Sequence, residues 1–171
     1  MKLIELRGKY GKGLFAKIDD KNFNKVSCFK WYGIKDNRCI YAVYHNKSGS
    51  KPIFMHRLIL GITDPKIKID HYDNDGLNNQ ESNLRIATSA QNTHNKRKNI
   101  NSLSSYKGVC RVIVKGKNKV NVYWKTCIRV NNKSIQKYSK TEIEAAIKYD
   151  ELALEHFGKF ANINFPKNKT K

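Results

Sequence analysis

The sequence IDHYDNDGLNNQESNLRIATSAQN, residues 69–92, decides the fold of the segment around it. A strand at 66–71 leads through a polar, Asp- and Asn-rich turn to a short second strand around 84–86. Residues 88–91, Thr-Ser-Ala-Gln, form a capping box, which predicts a helix from there to about Lys98. The segment is therefore expected to form a strand, a long loop, a second strand and a helix.

Four polar side chains of this segment form a candidate catalytic set. Asp70 and Asn92 offer carboxylate and amide oxygens, which hold a hard divalent cation such as Mg²⁺ or Mn²⁺. His71 can accept a proton from an attacking water, and Asn83 can fix the tautomer of its imidazole. One base and one positive centre are sufficient for phosphodiester hydrolysis, so the set predicts a nuclease. An Asn-rich stretch is also typical of simple turns, and residue types alone leave that structural interpretation open.

The charge of the chain is strongly positive and unevenly distributed. Lys and Arg number 34 and Asp and Glu 14, which gives a net charge of +20. Five of the acidic residues fall within residues 64–81, and the next one is Glu142. An acidic cluster followed by a long basic tract fits a cation site next to a phosphate-binding surface and favours nucleic acid as the partner. A basic face that serves only solubility is the alternative.

The cysteines and the N-terminus argue against several classes of protein. The four cysteines stand singly, without a Cys-x-x-Cys pair or matching histidine spacing, so no zinc is expected. The first residues lack the apolar core of a signal peptide, and no segment is long enough to span a membrane. We therefore expect an intracellular protein with reduced thiols, no membrane contact and no obligate protein partner.

The residues ahead of the catalytic segment predict a small antiparallel sheet. Residues 1–53 contain short aromatic and β-branched runs punctuated by Asp, Asn, Gly and Ser. The next run, 53–60, is typical of a short buried helix that ends at Gly61. We expect the sheet to support the segment that follows it, in a first domain at 1–98 whose core lies at about 53–98.

A second domain is expected at 106–166, after a polar linker at 99–105. Apolar residues in its long strand alternate with polar, basic and aromatic ones from Val120 to Val130, so one face packs and the other stays polar. A helix that starts at a Thr141–Glu144 capping box and stops at Gly158 covers the packed face. The whole chain is therefore α+β. The elements expected in this domain are strands at 106–114, 120–130 and 133–138, a helix at 141–157, a closing segment at 161–166 and a basic tail at 167–171.

Residues 69–92, with the preceding His56-Arg-Leu-Ile-Leu-Gly61, closely resemble the HNH homing endonucleases of phages and group I introns. The resemblance implies a ββα-metal finger that holds one Mg²⁺ or Mn²⁺ ion against the scissile phosphate. His56 and Arg57 are expected to help position the base of that site. The roles that the resemblance implies are Asp70 and Asn92 as metal ligands, His71 as general base, and Asn83 as the residue that orients His71.

One position departs from the usual family pattern. The third residue of the HNH motif is often a metal-binding histidine, and in this chain Asn92 occupies that position. His94 follows two residues later, about 200° around the helix axis, and is expected to point away from the site. An Asn ligand favours Mg²⁺ or Mn²⁺ over zinc. It also occurs among relatives that nick one strand, so cleavage of one strand or of both stays open.

Three further stretches resemble the APETALA-two or ethylene-response-factor DNA-binding domain: Tyr106-Lys-Gly-Val109, Glu144–Asp150 and Phe157–Pro166. The resemblance covers about residues 105–166. It implies a three-stranded sheet backed by one helix, with the sheet in the major groove of double-stranded DNA. The basic contact positions of that family are matched here by Lys107, Arg129 and Lys133.

Other contact positions differ from that family, so base recognition is expected to differ as well. Arginines or tryptophans that contact DNA there are replaced by Cys110, Val112, Val114 and Ile135. Residues expected to substitute for them from the polar face of the sheet are Arg111, Tyr123, Lys125 and Lys137. The end of the first domain adds three more expected contacts, Lys96, Arg97 and Lys98. For each of these residues a phosphate contact, or no contact with DNA, is the alternative.

These observations predict a site-specific homing endonuclease that cuts double-stranded DNA with one divalent cation and a histidine base. A DNA-binding regulator with an inactive HNH segment is the first alternative, and an RNA-binding or ribosome-associated protein is the second. The resemblance to phage enzymes implies action in the cytoplasm or nucleoid of a bacterial host.

Overall fold

A computed structural model describes residues 1–36, 39–47, 49–115 and 119–166 of the chain. The structure is α+β, with small antiparallel sheets and short helices, as predicted. Its contacts divide the chain into two compact units, Met1–Thr93 and a second unit that begins at His94. The predicted basic tail and loop residues 116–118 lie outside the described residues. Within the described ranges, no helix combines the length and hydrophobicity needed to cross a membrane.

The first unit consists of short strands and helices. They are β1 (Lys2–Glu5), β2 (Phe15–Ile18), α1 (Phe23–Val26), β3 (Tyr32–Asp36), β4 (Cys39–Tyr44), β5 (Ile53–Phe54), α2 (Met55–Leu60), β6 (Lys68–His71), β7 (Leu84–Ala87) and α3 (Ser89–Asn95). In the described part of this unit the strands form three antiparallel sheets: β1 with β2, β3 with β4 and β5, and β6 with β7.

The core of the first unit forms around Trp31. Its indole Nε1–H donates to the carbonyl of Val26 at 2.8 Å, and its ring meets Tyr44 edge-on at 5.2 Å. Leu6 and Met55 are fully buried in the same cluster. Burial of side chains of this size stabilises the fold by about 1.5–3 kcal/mol each. The cluster therefore fixes α2, which starts at Met55, against the N-terminal strands.

Strand β2 supports the long loop between β6 and β7, as expected of the N-terminal sheet. The Lys17 N–H donates to the carbonyl of Leu77 at 2.8 Å, and the Lys17 carbonyl accepts from the Asn79 N–H at 2.8 Å. Just beyond β2, a carboxylate oxygen of Asp19 accepts from the Glu81 N–H at 2.8 Å. These bonds hold both halves of the loop in place.

The predicted order of strand, loop, strand and helix is present, and its capping box is confirmed. The Thr88 N–H donates to Oε1 of Gln91 at 2.8 Å, and the Gln91 N–H donates to Oγ1 of Thr88 at 3.2 Å. Helix α3 ends at Asn95, three residues before the predicted end. Strand β6 begins at Lys68 rather than at residue 66, because Asp64 accepts from the Lys66 N–H and forms a turn there.

Helix α2 is shorter than the helix predicted at 53–60. Ile53 and Phe54 pair with β4 as strand β5, and the helix begins at Met55. Its end at Gly61 is confirmed, since Gly61 adopts a φ of +67° and its N–H meets the carbonyls of Arg57 and Leu58. A left-handed residue of this kind is a common helix stop.

The second unit is a three-stranded antiparallel sheet backed by one helix. Its elements are β8 (Val109–Lys115), β9 (Val120–Val130), β10 (Lys133–Ser139) and α4 (Glu142–Phe157), with β9 in the middle of the sheet. Thr126 on β9 donates its hydroxyl to the Ala145 carbonyl of α4 at 2.6 Å. Ala146, Tyr149 and Ala153 of α4 are buried. Small alanines allow the helix to lie close to the sheet.

Tight turns shape this unit. Asn131 and Asn132 have φ values of 49° and 63°, which confirms the predicted tight turn between β9 and β10. Gly108 has a φ of +71°, and a Cβ there would lie 2.0 Å from the Tyr149 ring. Only glycine fits this position, and β8 starts after it rather than at Tyr106.

The segment predicted as a linker, 99–105, makes specific contacts at its end. Ser104 donates its hydroxyl, and Ser105 its N–H, to Oε1 of Glu142 at 2.7 and 2.8 Å. Earlier in the chain, the His94 ring stacks on Phe157 with centroids 3.6 Å apart. The second unit therefore begins within α3, ahead of the predicted linker.

Candidate active site

Asp70, on β6, is a buried carboxylate that is paired with Arg85 on β7. The two residues lie directly opposite each other in the antiparallel pair. Nε of Arg85 donates to Oδ2 of Asp70 at 2.7 Å, and Nη2 lies 2.6 Å from the same oxygen. The guanidinium also lies over the Tyr72 ring, 4.9 Å from its centroid. Sequence analysis missed Arg85, although its position opposite Asp70 follows once the two strands are paired.

His71, the next residue on β6, is a buried imidazole. Burial lowers its pKa, and this effect outweighs a hydrogen bond with the Asn79 side chain and the nearby carboxylates of Asp73 and Asp70, which raise the pKa. The imidazole is therefore neutral near neutral pH. A neutral imidazole is the form that can accept a proton from water.

The structure brings Asn79 to His71, a contact that sequence analysis did not predict. Asn79 is completely buried, and its Nδ2 donates to the carbonyl of Leu77 at 3.2 Å. The Asn79 side chain also lies close enough to the His71 imidazole to act on it. This interaction raises the pKa of His71, because it stabilises the protonated ring. The loop contains four asparagines, Asn74, Asn78, Asn79 and Asn83, and nothing in the sequence distinguishes Asn79 among them.

Asn83 holds the loop between β6 and β7. Its Oδ1 accepts from the Asp73 N–H at 3.0 Å, and its Nδ2 donates to Oδ1 of Asp73 at 2.9 Å and to the Asn78 carbonyl at 2.8 Å. These bonds give Asn83 a bracing function in the loop. The orienting role predicted for it stays a prediction.

Asp73 organises the same loop as an ionised group. Burial raises its pKa, but hydrogen bonds from the Asn78 side chain, the Asp75 N–H and the Asn83 side chain together lower the pKa below its usual value. Gly76 closes the loop against β4, since a Cβ there would lie 2.5 Å from the carbonyl oxygen of Ile40. The loop is thus packed on the N-terminal sheet.

Two rings from outside the loop, those of His56 and Tyr41, pack beside the His71 ring. The His56 ring of α2 lies 5.1 Å from the His71 ring, edge-on, and the Tyr41 ring of β4 lies 5.7 Å from it. Burial, with smaller contributions from the charge of a protonated His71 and from Arg57, lowers the pKa of His56 to about 3, so His56 stays neutral. Burial also raises the pKa of Tyr41, which keeps its hydroxyl protonated.

Arg57 acts one step further from His71. Its guanidinium donates to the carbonyl of Ile67 at 3.0 Å and to the carbonyl of Asp64. Both acceptors belong to the turn that leads into β6. Arg57 therefore fixes the strand that carries Asp70 and His71.

Asn92, the second expected metal ligand, is half-buried in α3, where its N–H donates to the Thr88 carbonyl at 2.9 Å. The described residues contain no group of three or more His, Cys, Asp or Glu side chains that could hold a metal ion. An ion here would need amide oxygens and water beside the Asp70 carboxylate. Mg²⁺ and Mn²⁺ accept such a donor set, so the residues fit a hard divalent cation. The His94 ring stacks on Phe157, and its orientation away from the site stays a prediction.

The residues predicted to bind DNA fall into three groups. Lys98 and Lys107 donate their ammonium groups to the carbonyls of Ser104 and His94 at 2.9 and 2.5 Å, whereas Lys96 and Arg97 are exposed. Burial lowers the pKa of Lys107 to about 8. On the second unit's sheet, Tyr123, Lys125 and Arg129 occupy the face opposite α4.

Arg111, Lys133 and Lys137 lie on the other face, which corrects the prediction that Arg111 and Lys137 project from the polar face. Lys137 lies opposite Thr126, and Arg111 lies opposite Trp124. Since Thr126 contacts α4, all residues in these cross-strand rows are on the helix side. All three basic residues are exposed, so they lie beyond the area that α4 covers.

Comparison with known proteins identifies the family. The chain is 38% identical over 157 residues to a protein of Acanthamoeba polyphaga mimivirus named an uncharacterized HNH endonuclease, an alignment that covers 90% of this chain and 76% of that protein. The chain therefore belongs to the HNH endonuclease family, which confirms that part of the resemblance. No family model matches the sequence, and no solved structure matches it. The resemblance to the APETALA-two domain stays a prediction.

Proposed function

We propose that the protein is a site-specific DNA endonuclease of the homing type, which hydrolyses a phosphodiester bond with one divalent cation and His71 as general base. The observation that carries this proposal is the buried, neutral His71 imidazole, adjacent in sequence to the buried Asp70 on β6. Membership of the HNH endonuclease family supports it.

In the proposed reaction, His71 accepts a proton from the water whose oxygen attacks phosphorus, and the bond to the leaving oxygen breaks. Asn79 holds the imidazole, with the His56 ring packed beside it. Arg85 fixes the Asp70 carboxylate. Asp70 and Asn92 would hold Mg²⁺ or Mn²⁺, which when bound supplies positive charge for the developing negative charge on the phosphate.

The second unit is proposed to read double-stranded DNA through the open face of its sheet. Tyr123, Lys125 and Arg129 share that face, and Arg and Lys side chains on a sheet can reach base edges or phosphates in the major groove. The resemblance to the APETALA-two domain supports this use of the sheet. Arg111, Lys133 and Lys137, on the helix side, are proposed to contact phosphates only, as are Lys96 and Arg97.

The test compares wild type with His71→Ala on plasmid and genomic DNA with Mg²⁺ or with EDTA. Wild type should cleave only with the metal, and His71→Ala should lose at least about 100-fold in rate, the lower range for loss of a general base. Native and denaturing gels separate double-strand breaks from nicks. Equal cleavage by the two proteins would refute the assignment of the base.

A second candidate, a DNA-binding regulator with an inactive HNH segment, is favoured by one observation. The Arg85 guanidinium already neutralises Asp70, at 2.6–2.7 Å, and so competes with a cation for that carboxylate. This candidate predicts tight DNA binding without cleavage at any concentration of Mg²⁺ or Mn²⁺. Metal-dependent cleavage by wild type would exclude it.

A further inference from the structure

The segment between β1 and β2 forms a turn fixed by its own backbone. The Leu6 N–H donates to the Leu14 carbonyl at 2.9 Å, and the N–H groups of Gly11 and Lys12 donate to the Gly8 carbonyl at 3.1 and 3.0 Å. Gly8 has a φ of +80°, a conformation that favours glycine. We refer to residues 7–12 as the basic turn.

The basic turn is also packed tightly on the start of β3. The Arg7 N–H donates to the Trp31 carbonyl at 2.8 Å, and the Arg7 carbonyl accepts from the Gly33 N–H at 3.1 Å. A Cβ on Gly11 would lie 2.3 Å from the Arg7 carbonyl oxygen and 2.7 Å from the Gly33 nitrogen. The backbone of the basic turn is therefore already fixed, so it loses little conformational entropy when a ligand binds.

This rigid backbone presents three cations around one surface recess. Arg7, Lys9 and Lys12 are exposed and line the recess together with Glu5. None of the ion pairs found among the described residues includes these three, whereas Lys17, Lys21 and Arg85 of the same unit are paired with Asp75, Glu81 and Asp70. Two exposed tyrosines, Tyr10 and Tyr32, add hydroxyl groups and rings in and beside the turn.

The charge of the first unit explains why a separate basic surface matters there. Five of its nine acidic residues lie within 64–81, around the proposed catalytic site. Three of these carboxylates are paired with Lys17, Lys21 and Arg85, which are thereby engaged, so the positive charge for DNA has to come from elsewhere on the surface of this unit. The basic turn carries three positive charges against the single carboxylate of Glu5.

We propose that the basic turn binds the phosphate backbone of the duplex that the first unit cuts. The inference rests on the proposed function. Arg7, Lys9 and Lys12 contact phosphate oxygens, and the contact positions the duplex without reading its sequence. Because the turn is already fixed, its cations bind with a small loss of conformational entropy.

The experiment measures binding of full-length protein to a labelled duplex as a function of NaCl, in a His71→Ala background that prevents cleavage. Arg7→Gln/Lys9→Gln/Lys12→Gln is compared with Lys30→Gln/Lys47→Gln/Lys51→Gln, which removes the same charge from exposed lysines of the same unit. Removal of three phosphate-binding cations should make the plot of log K against log salt less steep by about 2 to 3. The control triple should change the slope by less than about 1.

Equal changes of slope in the two triple variants, or no change in either, would overturn the inference. Circular dichroism and thermal unfolding check that both variants fold. If protein with an intact His71 cleaves DNA while the basic-turn variant keeps the parental slope, only the inference fails. If the protein neither binds nor cleaves duplex DNA, the proposed function fails and the inference fails with it. Stronger competition by single-stranded RNA than by duplex would also overturn the assignment to DNA.

Discussion

In the proposed mechanism the His71 imidazole must be oriented by a neighbouring group, and we propose Asn79 for this role. Its amide Nδ2 donates to the Leu77 carbonyl, and the residue is completely buried. Asn83 matches the family's orienting residue in position. Its side-chain amide forms hydrogen bonds with Asp73 and Asn78. We therefore propose separate roles for the two asparagines, with Asn79 at the base and Asn83 in the loop.

Asn79→Ala should lower kcat for DNA cleavage about 10-fold or more with little change in KM, because the base remains but is no longer oriented. The ¹⁵N chemical shifts of the His71 imidazole should also move, which a general loss of stability would not cause. Asn83→Ala is the comparison and should mainly lower Tm, since three hydrogen bonds of the loop are lost. A larger loss of kcat in Asn83→Ala than in Asn79→Ala would indicate that Asn83 orients His71.

Arg85 stabilises the fold by pairing with a carboxylate that is only 4% exposed. Arg85→Met should lower the free energy of unfolding by about 3 kcal/mol, because Asp70 would stay buried without its charge partner. Urea unfolding measures this change. The double variant Asp70→Asn/Arg85→Met should regain a large part of the lost free energy of unfolding. If its loss equals the sum of the losses in Asp70→Asn and Arg85→Met, this explanation is contradicted.

Lys107 gives the stability of the protein a pH dependence. Its pKa is about 8 in the folded chain and near 10.5 when exposed. Between these two values the unfolded chain binds the proton more strongly, so the free energy of unfolding should rise with pH from about 8 to 10.5 and be independent of this group below 8. Lys107→Met should lack this rise in urea unfolding. Lys140→Met, at an exposed lysine, controls for the loss of a charge; an identical slope in wild type and Lys107→Met would refute the prediction.

At the scale of elements, local signals predicted the strand–loop–strand–helix unit well. The capping box at Thr88–Gln91 and the glycine stop at Gly61 act through neighbouring residues, so the sequence alone reveals them. The packing of the Tyr41 and His56 rings beside His71 could not be predicted in this way, because β4 and α2 reach His71 only through tertiary packing. The proximity of Asn79 to His71 could not be predicted either, because it depends on the path of the loop.

The second unit's sheet shows how much depends on strand register. Alternation within β9 predicted correctly which of its residues share a face. The faces of Arg111 and Lys137 depend on pairing across strands, where a shift of one residue exchanges the two faces. The observed register places them beside Trp124 and Thr126, on the side of α4.

The two faces of this sheet should therefore differ in their effect on DNA binding. Ala substitution of Tyr123, Lys125 and Arg129 should reduce the preference for a duplex selected from random sequence over a scrambled one, by about 1–3 kcal/mol for each base that is no longer recognised. Ala substitution of Arg111, Lys133 and Lys137 should weaken binding to both duplexes equally. Competition binding measures the affinity ratio of the selected to the scrambled duplex for each triple variant. A loss of preference confined to the Arg111, Lys133 and Lys137 variant would contradict the proposed reading face.

At the scale of the whole molecule, both units are positive but to different degrees. Residues 1–93 contain 16 basic and 9 acidic residues, a net charge of +7, and residues 94–171 contain 18 and 5, a net charge of +13. The more positive unit is the one proposed to read DNA, and the less positive unit carries the proposed cation site. Under the proposed function, the second unit therefore supplies the larger share of the electrostatic attraction for DNA.

A net charge of +20 should make the free protein more stable in salt, because counterions screen the repulsion among its basic side chains. Bound DNA relieves the same repulsion and stabilises the folded state by mass action, but its affinity falls as salt rises. Between about 0.05 and 0.5 M NaCl, where the Debye length falls several-fold, Tm without DNA should rise and Tm with duplex should fall toward it. Thermal unfolding with and without duplex tests this. A Tm that falls with NaCl in the free protein would show instead that ion pairs such as Asp70–Arg85 outweigh the overall repulsion.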